Sequence, residues 1–224
     1  MKPIILVNFK TYKQSSGINA VKLAAIFSQA SKKTGTKFIL CPQTADIKIV
    51  SCNTSLPVFA QHVDYFQQER STGFIIPEDV RQEGASGTLL NHSEHRITFS
   101  VLRKTIERCN DANLKVVACA ASVNEAAKIL ELNPYCIMYE DPKLVSSSKS
   151  ITKIEPNSVK KFADIVKSYN KKKKTKIIGL CGAGISTKGD IELALQLGCD
   201  GVGLSSAITK ASNQKKKVYE LVDF

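Results

Sequence analysis

A chain of 224 residues, 43% hydrophobic and 23% charged with mean hydropathy near zero, has the composition of a folded globular protein, long enough for two ordinary domains or one eight-stranded α/β barrel. No apolar run approaches the ~18 residues a membrane helix needs, and MKPIILVNFK meets a lysine and an asparagine too early for a signal peptide, so no membrane contact and a cytoplasmic location are expected. The formal charge of +12 favours an anionic partner, yet much of the excess sits in lysine runs at 171–174 and 215–217, which lack interleaved aromatics and fit solvated faces rather than a specific nucleic-acid site.

Along the chain, short β-rich runs alternate with stretches of helical period. PIILVNFK (3–10) precedes INAVKLAAIFSQASKK (18–33), where Val21, Leu23, Ile26 and Phe27 share a face. KFILCP (37–42) precedes TADIKIVSC (44–52), and PVFAQHV (57–63) leads through a polar segment to the helix start IPEDVRQEG (76–84). GTLLNHSEH (87–95) precedes FSVLRKTIERCNDAN (99–113), KVVACA (115–120) precedes SVNEAAKILELN (122–133), and PYCIMYE (134–140) precedes IEPNSVKKFADIVKSYN (154–170). KIIGLCGAG (176–184) with ISTKGDIELALQLG (185–198), then CDGVGLSS (199–206) with a helix to 224, complete eight strand-then-helix units. There is no hairpin signal and no linker that would mark a boundary, so 1–224 reads as one domain. The strands are continuous Val/Ile/Leu runs, as a parallel sheet covered on both faces requires, and eight of them close a (β/α)8 barrel. The seven cysteines are scattered singly, several inside apolar runs, which fits buried thiols rather than disulfides or zinc.

A barrel of this kind does its chemistry where the strands end. The first strand ends at Asn8 and Lys10, the third at Gln61-His62-Val63-Asp64, the fourth at Asn91-His92, the sixth at Glu140, the seventh at Gly182-Ala183-Gly184 and the eighth at Ser205-Ser206. The small residues of GLCGAGIST leave backbone N–H groups open to an anion, and GVGLSS ends in the same way; two such loops side by side suit a phosphate. Asn91 followed three residues later by Glu94 predicts an N-cap with its reciprocal acid, which would place His92 in a first helical turn and keep it neutral. Glu140, closing the apolar run YCIMY, is placed to move a proton, and Lys10 to hold negative charge. Base, neutral donor, cation and phosphate cradle together suit proton abstraction beside a carbonyl on a small phosphorylated substrate; no metal or cofactor is called for. The metal reading of the pair His92 and His95 lacks a third ligand.

These residues resemble the triosephosphate isomerase family, in its short archaeal type, over essentially the whole length: NFKTY, AQHVD, GTLLNHSEHR, YEDP, CGAGIST and DGVGLSS carry the likeness. The resemblance implies interconversion of glyceraldehyde 3-phosphate and dihydroxyacetone phosphate through an enediolate, without cofactor. It implies Asn8 and Lys10 on the substrate, His92 as electrophile, Glu140 as base, Glu94 as the partner of the lysine, and Gly182, Gly184, Ser205 and Ser206 at the phosphate. It gives His95 no role. It also implies a lid after the base, with the backbone N–H of Ser146 closing over the phosphate, and a homodimer or homotetramer formed in part through the segment after the third strand. Two departures stand out: Asp141 follows the base where the family has proline, adding a second carboxylate, and serines at 146–148 replace a glycine-rich tip. The alternative they raise is a sugar-phosphate-binding barrel impaired in catalysis.

Overall fold

A computed structural model describes residues 2–145 and 149–223. Eight parallel strands form one sheet: β1 (Ile4–Asn8), β2 (Lys37–Cys41), β3 (Phe59–Ala60), β4 (Gly87–Leu90), β5 (Lys115–Ala120), β6 (Cys136–Glu140), β7 (Ile178–Gly182) and β8 (Gly201–Leu204). Their order is β2-β1-β8-β7-β6-β5-β4-β3, so the two ends of the sheet are β2 and β3, neighbours in sequence. They meet at a bridge between Leu40 and Val58, with the Leu40 N–H donating to Pro57 O at 2.9 Å, and the sheet curls into a nearly closed barrel. This seam is thin for a local reason. Pro57 has no N–H to donate and Pro42 ends β2, which leaves β3 two residues long where the sequence pattern suggested seven.

Between the strands run α1 (Ile18–Thr34), α2 (Ile47–Ser51), α3 (Pro77–Gln82), α4 (Phe99–Asp111), α5 (Val123–Leu130), α6 (Ile151–Ile154), α7 (Pro156–Lys173), α8 (Lys188–Gln196), α9 (Ser206–Thr209) and α10 (Gln214–Val222). The stretch 44–52 begins as a tight 3-10 turn, Thr44–Asp46, before α2. The stretch 154–170 divides because Pro156 pushes the preceding residue off helical geometry; Glu155 sits at φ −129°, ψ 51°, so α6 stops and α7 starts with proline at its first position. α7 then runs past the predicted end, its lysines at 171–173 lying in the last turn, where cations face the negative end of the helix dipole. No described helix is long and apolar enough to cross a membrane.

Side-chain parity divides the core. Leu6, Ile39, Phe59, Leu89, Val117, Cys119, Cys136, Met138 and Leu180 fill the barrel interior, while a larger cluster packs the outer sheet face against the helices. Because strand side chains alternate, the inward register Leu6, Cys136–Met138 and Leu180 continues two residues on to Asn8, Glu140 and Gly182. The same alternation that packs the barrel therefore aims a carboxamide and a carboxylate along its axis at the strand C-termini.

Candidate active site

A cleft of about 320 Å³ opens at this end, bordered by Asn8, Lys10, His92, Glu140, Val145, Ala183, Gly184, Ser186, Ser205 and Ser206 among others. Asn8, Lys10, His92 and Glu140 are each no more than 9% exposed. Burying four polar side chains together without a compensating network is costly, so their partners define the site.

Lys10 leaves β1 in the left-handed region, φ 48°, an uncommon place for a long side chain. Its backbone is held there from two sides: its N–H donates to Asn8 Oδ1 at 2.9 Å, and its carbonyl accepts from Gln61 Nε2 at 3.1 Å. The second amide hydrogen of Gln61 reaches Cys41 O at 3.0 Å, so this one carboxamide ties β1 and β2 together below the lysine. Gln61 stands among the strand-end residues of the sequence, yet nothing in its identity announces this use. The Lys10 ammonium meets Glu94 Oε1 at 2.8 Å, the pairing the resemblance implies for that glutamate.

No helix begins at Asn91. Residues 91–96 form a turn, and the N-cap of α4 is Thr98, whose hydroxyl accepts from the Val101 N–H at 3.3 Å. Asn91 instead adopts φ 61° and becomes a crosspiece: its amide donates to Cys119 O at 2.9 Å and Glu125 Oε1 at 3.1 Å, and its Oδ1 accepts from Ile97 N–H at 3.2 Å. Asparagine is among the few residues at ease in this conformation, and the reversal it makes turns the following residue into the cleft. Glu125 anchors the crosspiece in turn. Burial alone would raise its carboxyl, but the Ala121 N–H, Arg96 and Asn91 outweigh this and hold it below the usual carboxylate range.

The His92 ring is oriented by a backbone hydrogen bond rather than by a helix N-terminus. Its Nδ1 accepts the Glu94 backbone N–H at 3.1 Å, which requires a lone pair on that nitrogen and places the ring proton on Nε2. Nε2 lies 3.5 Å from Glu140 Oε2, a buried carboxylate oxygen without a hydrogen-bond partner among the described residues. An unpartnered acceptor aimed at a cleft is free to accept a proton from whatever occupies it. Behind Glu140, the Cys119 thiol is pushed up by burial and further by the carboxylate itself, so it remains a neutral neighbour. Gly182 does not border the cleft; a Cβ there would lie 3.1 Å from Glu140 Oε1, and its absence makes room for that carboxylate. The second carboxylate introduced by Asp141 turns away, accepting from the Lys143 N–H at 2.8 Å within the turn 141–144.

After β7, the neighbour of β6, Ala183 and Gly184 both have positive φ, 91° and 70°. Ile151 N–H donates to Ala183 O at 3.1 Å, and the Gly184 backbone approaches Lys149 so closely that a Cβ would fall 1.9 Å from its carbonyl oxygen. Thr187 and Asp190 form the capping box of α8, the motif that the sequence suggested for Asn91 and Glu94. Asp190, 1% exposed, also accepts the Ser186 N–H at 3.0 Å and pairs through Oδ1 with the Lys153 ammonium at 2.7 Å. Burial would raise its carboxyl; Lys153 and the N–H groups of Ser186 and Thr187 prevail and hold it low. Facing this loop, Ser205 places a buried hydroxyl without a partner among the described residues, and Ser206 starts α9. Ser146 lies outside the described residues. His95 stacks on His62, ring centroids 4.0 Å apart, away from the cleft lining.

A family model described as triosephosphate isomerase matches residues 3–223. The chain belongs to the triosephosphate isomerase family. Among curated relatives named triosephosphate isomerase, that of Methanothermus fervidus is 37% identical over 99% of this chain and 98% of its own length, and that of Methanocaldococcus jannaschii 34% identical over 99% of each. The protein of that name from Sulfolobus acidocaldarius is 35% identical over 98% of this chain and 94% of its own. A family match of this extent accounts for the eight-stranded architecture.

Proposed function

We propose that this chain is a triosephosphate isomerase, interconverting D-glyceraldehyde 3-phosphate and dihydroxyacetone phosphate as part of cytoplasmic carbohydrate metabolism. The observation that carries the reading is the juxtaposition of Glu140 Oε2, without a hydrogen-bond partner among the described residues, with His92 Nε2, 3.5 Å apart in a cleft that Lys10 also lines. Glu140 takes a proton from the carbon beside the substrate carbonyl. The electron pair moves into an enediolate, whose oxygens accept hydrogen bonds from His92 Nε2–H and sit close to the Lys10 ammonium; the substrate's hydroxyl proton passes from one of these oxygens to the other across His92 Nε2, and Glu140 returns the carbon-derived proton to the adjacent carbon. Asn8 fixes Lys10 and borders the substrate, while the loops carrying Gly184, Ser205 and Ser206 offer backbone N–H groups and hydroxyls to the phosphate.

The test is a coupled isomerase assay on the pure protein beside Glu140→Gln. The variant keeps the shape of the base and loses its proton affinity, so kcat falls by roughly 10²–10⁴-fold while inorganic phosphate still competes for the site. Equal turnover by the two proteins overturns the assignment. The same reading includes self-association as a homodimer or homotetramer. Its support is the segment after β3, where Phe74 is 48% exposed and packs on Phe66 at 4.0 Å between ring centroids; sedimentation equilibrium distinguishes the states, and a monomer refutes them.

A further inference from the structure

Asp190 is an unexpected neighbour for a phosphate. Its Oδ2 accepts the backbone N–H groups of Ser186 at 3.0 Å and Thr187 at 2.9 Å, and Ser186 borders the cleft, so a full negative charge lies buried directly behind the loop that should attract an anion. The carboxylate is needed there for shape, since it fixes the loop end through those two N–H groups and completes the cap of α8. Electrostatically it works against the loop, because a buried charge is screened far less than an exposed one.

A lysine answers it. Lys153 stands on α6, beyond the stretch that follows Glu140, and lays its ammonium 2.7 Å from Asp190 Oδ1 although the lysine side chain is itself 58% exposed. The same short segment contacts the loop twice more, through Ile151 N–H on Ala183 O and through the Lys149 carbonyl packed against Gly184. The partner that neutralises the carboxylate thus arrives on the segment that clamps the loop's backbone.

We propose that Lys153 is a positioning residue for phosphate recognition, acting through Asp190: it cancels the charge of the carboxylate that shapes the loop, so that the loop keeps its geometry and still attracts an anion. This rests on the isomerase reading for the identity of the substrate but not for the presence of an anion site. The experiment compares wild type, Lys153→Met, Lys153→Arg, Asp190→Asn and the double variant Lys153→Met/Asp190→Asn. It reads KM and kcat for isomerisation and, separately, inorganic phosphate affinity by calorimetry at low and high salt, with melting temperature as a control. Lys153→Met should weaken phosphate binding and raise KM by about three- to tenfold at low salt, less at high salt, with kcat moving less than KM. Lys153→Arg should stay near wild type, and the double variant, with no charge left to cancel, should recover most of the lost affinity. Unchanged phosphate affinity in Lys153→Met overturns the proposal. So does a double variant no better than the single, or a loss shared equally by kcat, KM and melting temperature, which would mark a merely structural lysine. A wild type that binds phosphate but does not isomerise would sink the functional reading and leave this test intact.

Discussion

Gly184 offers the sharpest test of the loop after β7, because its backbone conformation and its packing both exclude a side chain. In Gly184→Ala the new Cβ would sit 1.9 Å from Lys149 O and 2.5 Å from Lys149 C, so about 1 Å of separation must open between the two segments before ordinary contact is restored. The residue also stands at φ 70°, where an alanine costs about 1–2 kcal/mol. Overpacking of a tight contact adds about 1–3 kcal/mol, giving about 2–5 kcal/mol in all. For a chain of this size that is a fall of roughly 4–20 °C in melting temperature. Gly35 supplies the control: it caps α1 at φ 72°, and a Cβ placed there would have nothing within 4 Å, so Gly35→Ala meets the strain alone, about 1–2 kcal/mol. Thermal unfolding and phosphate calorimetry on both variants separate the two contributions. If Gly184→Ala costs no more stability than Gly35→Ala and binds phosphate as wild type does, the close approach to Lys149 does not exist and the clamp on the loop falls with it.

Three further outcomes follow from the same contacts. Asn91→Ala removes a carboxamide that satisfies a buried carbonyl, a half-buried carboxylate and an N–H while holding φ 61°; it should cost about 1–3 kcal/mol by urea unfolding and lower turnover through a displaced His92, and wild-type values for both would refute its bridging role. His62 is held below its ordinary pKa by burial and by the stacked His95, with Asp64 opposing. A base depressed in the folded state contributes stability that is complete above its unfolded pKa of ~6.5 and is lost as pH falls through the folded value, so urea midpoints should drop on acidification below that point and His62→Gln should flatten the dependence; an unchanged slope in the variant rejects the assignment. Of the seven free cysteines, Cys52 alone is exposed; burial pushes Cys109 up to about 12 and raises Cys41, Cys119 and Cys136, while the hydrogen bond with Cys199 together with burial raises Cys181. A disulfide reagent at pH 8 should therefore label one thiol quickly in native protein and seven after denaturation; rapid labelling of several would contradict the packing.

The architecture was legible because it rests on repetition: eight apolar runs followed by helical periods leave few topologies, and the rule that barrels work at strand C-termini located Lys10, His92 and Glu140 among the strand ends. What escaped was carried by backbone conformation. An asparagine three residues before a glutamate looks alike whether it caps a helix or turns the chain through φ 61°, and the outcome depended on Cys119 O and Glu125, which belong to β5 and its following helix. Gln61 was hidden for a related reason, since it acts on main-chain groups brought near only by the fold; Asp190 closes a Thr-x-x-Asp capping box whose spacing stands in the sequence, but its ion pair with Lys153 does not. The short β3 was likewise decided by two prolines that remove pairing from its neighbour.

The seam between β2 and β3 gives the barrel a preferred place to come apart. Elsewhere each strand is laced to both neighbours, but here the ring is joined by the Leu40–Val58 bridge and little else in the sheet. Amide exchange at residues 37–41 and 58–60 should outrun that of β5 and β6, which are paired on both sides along their length. New chain ends introduced in the connection at 52–56 would break the fewest sheet contacts, so a circular permutant opened there is the rearranged chain best placed to fold and keep the mouth of the barrel intact.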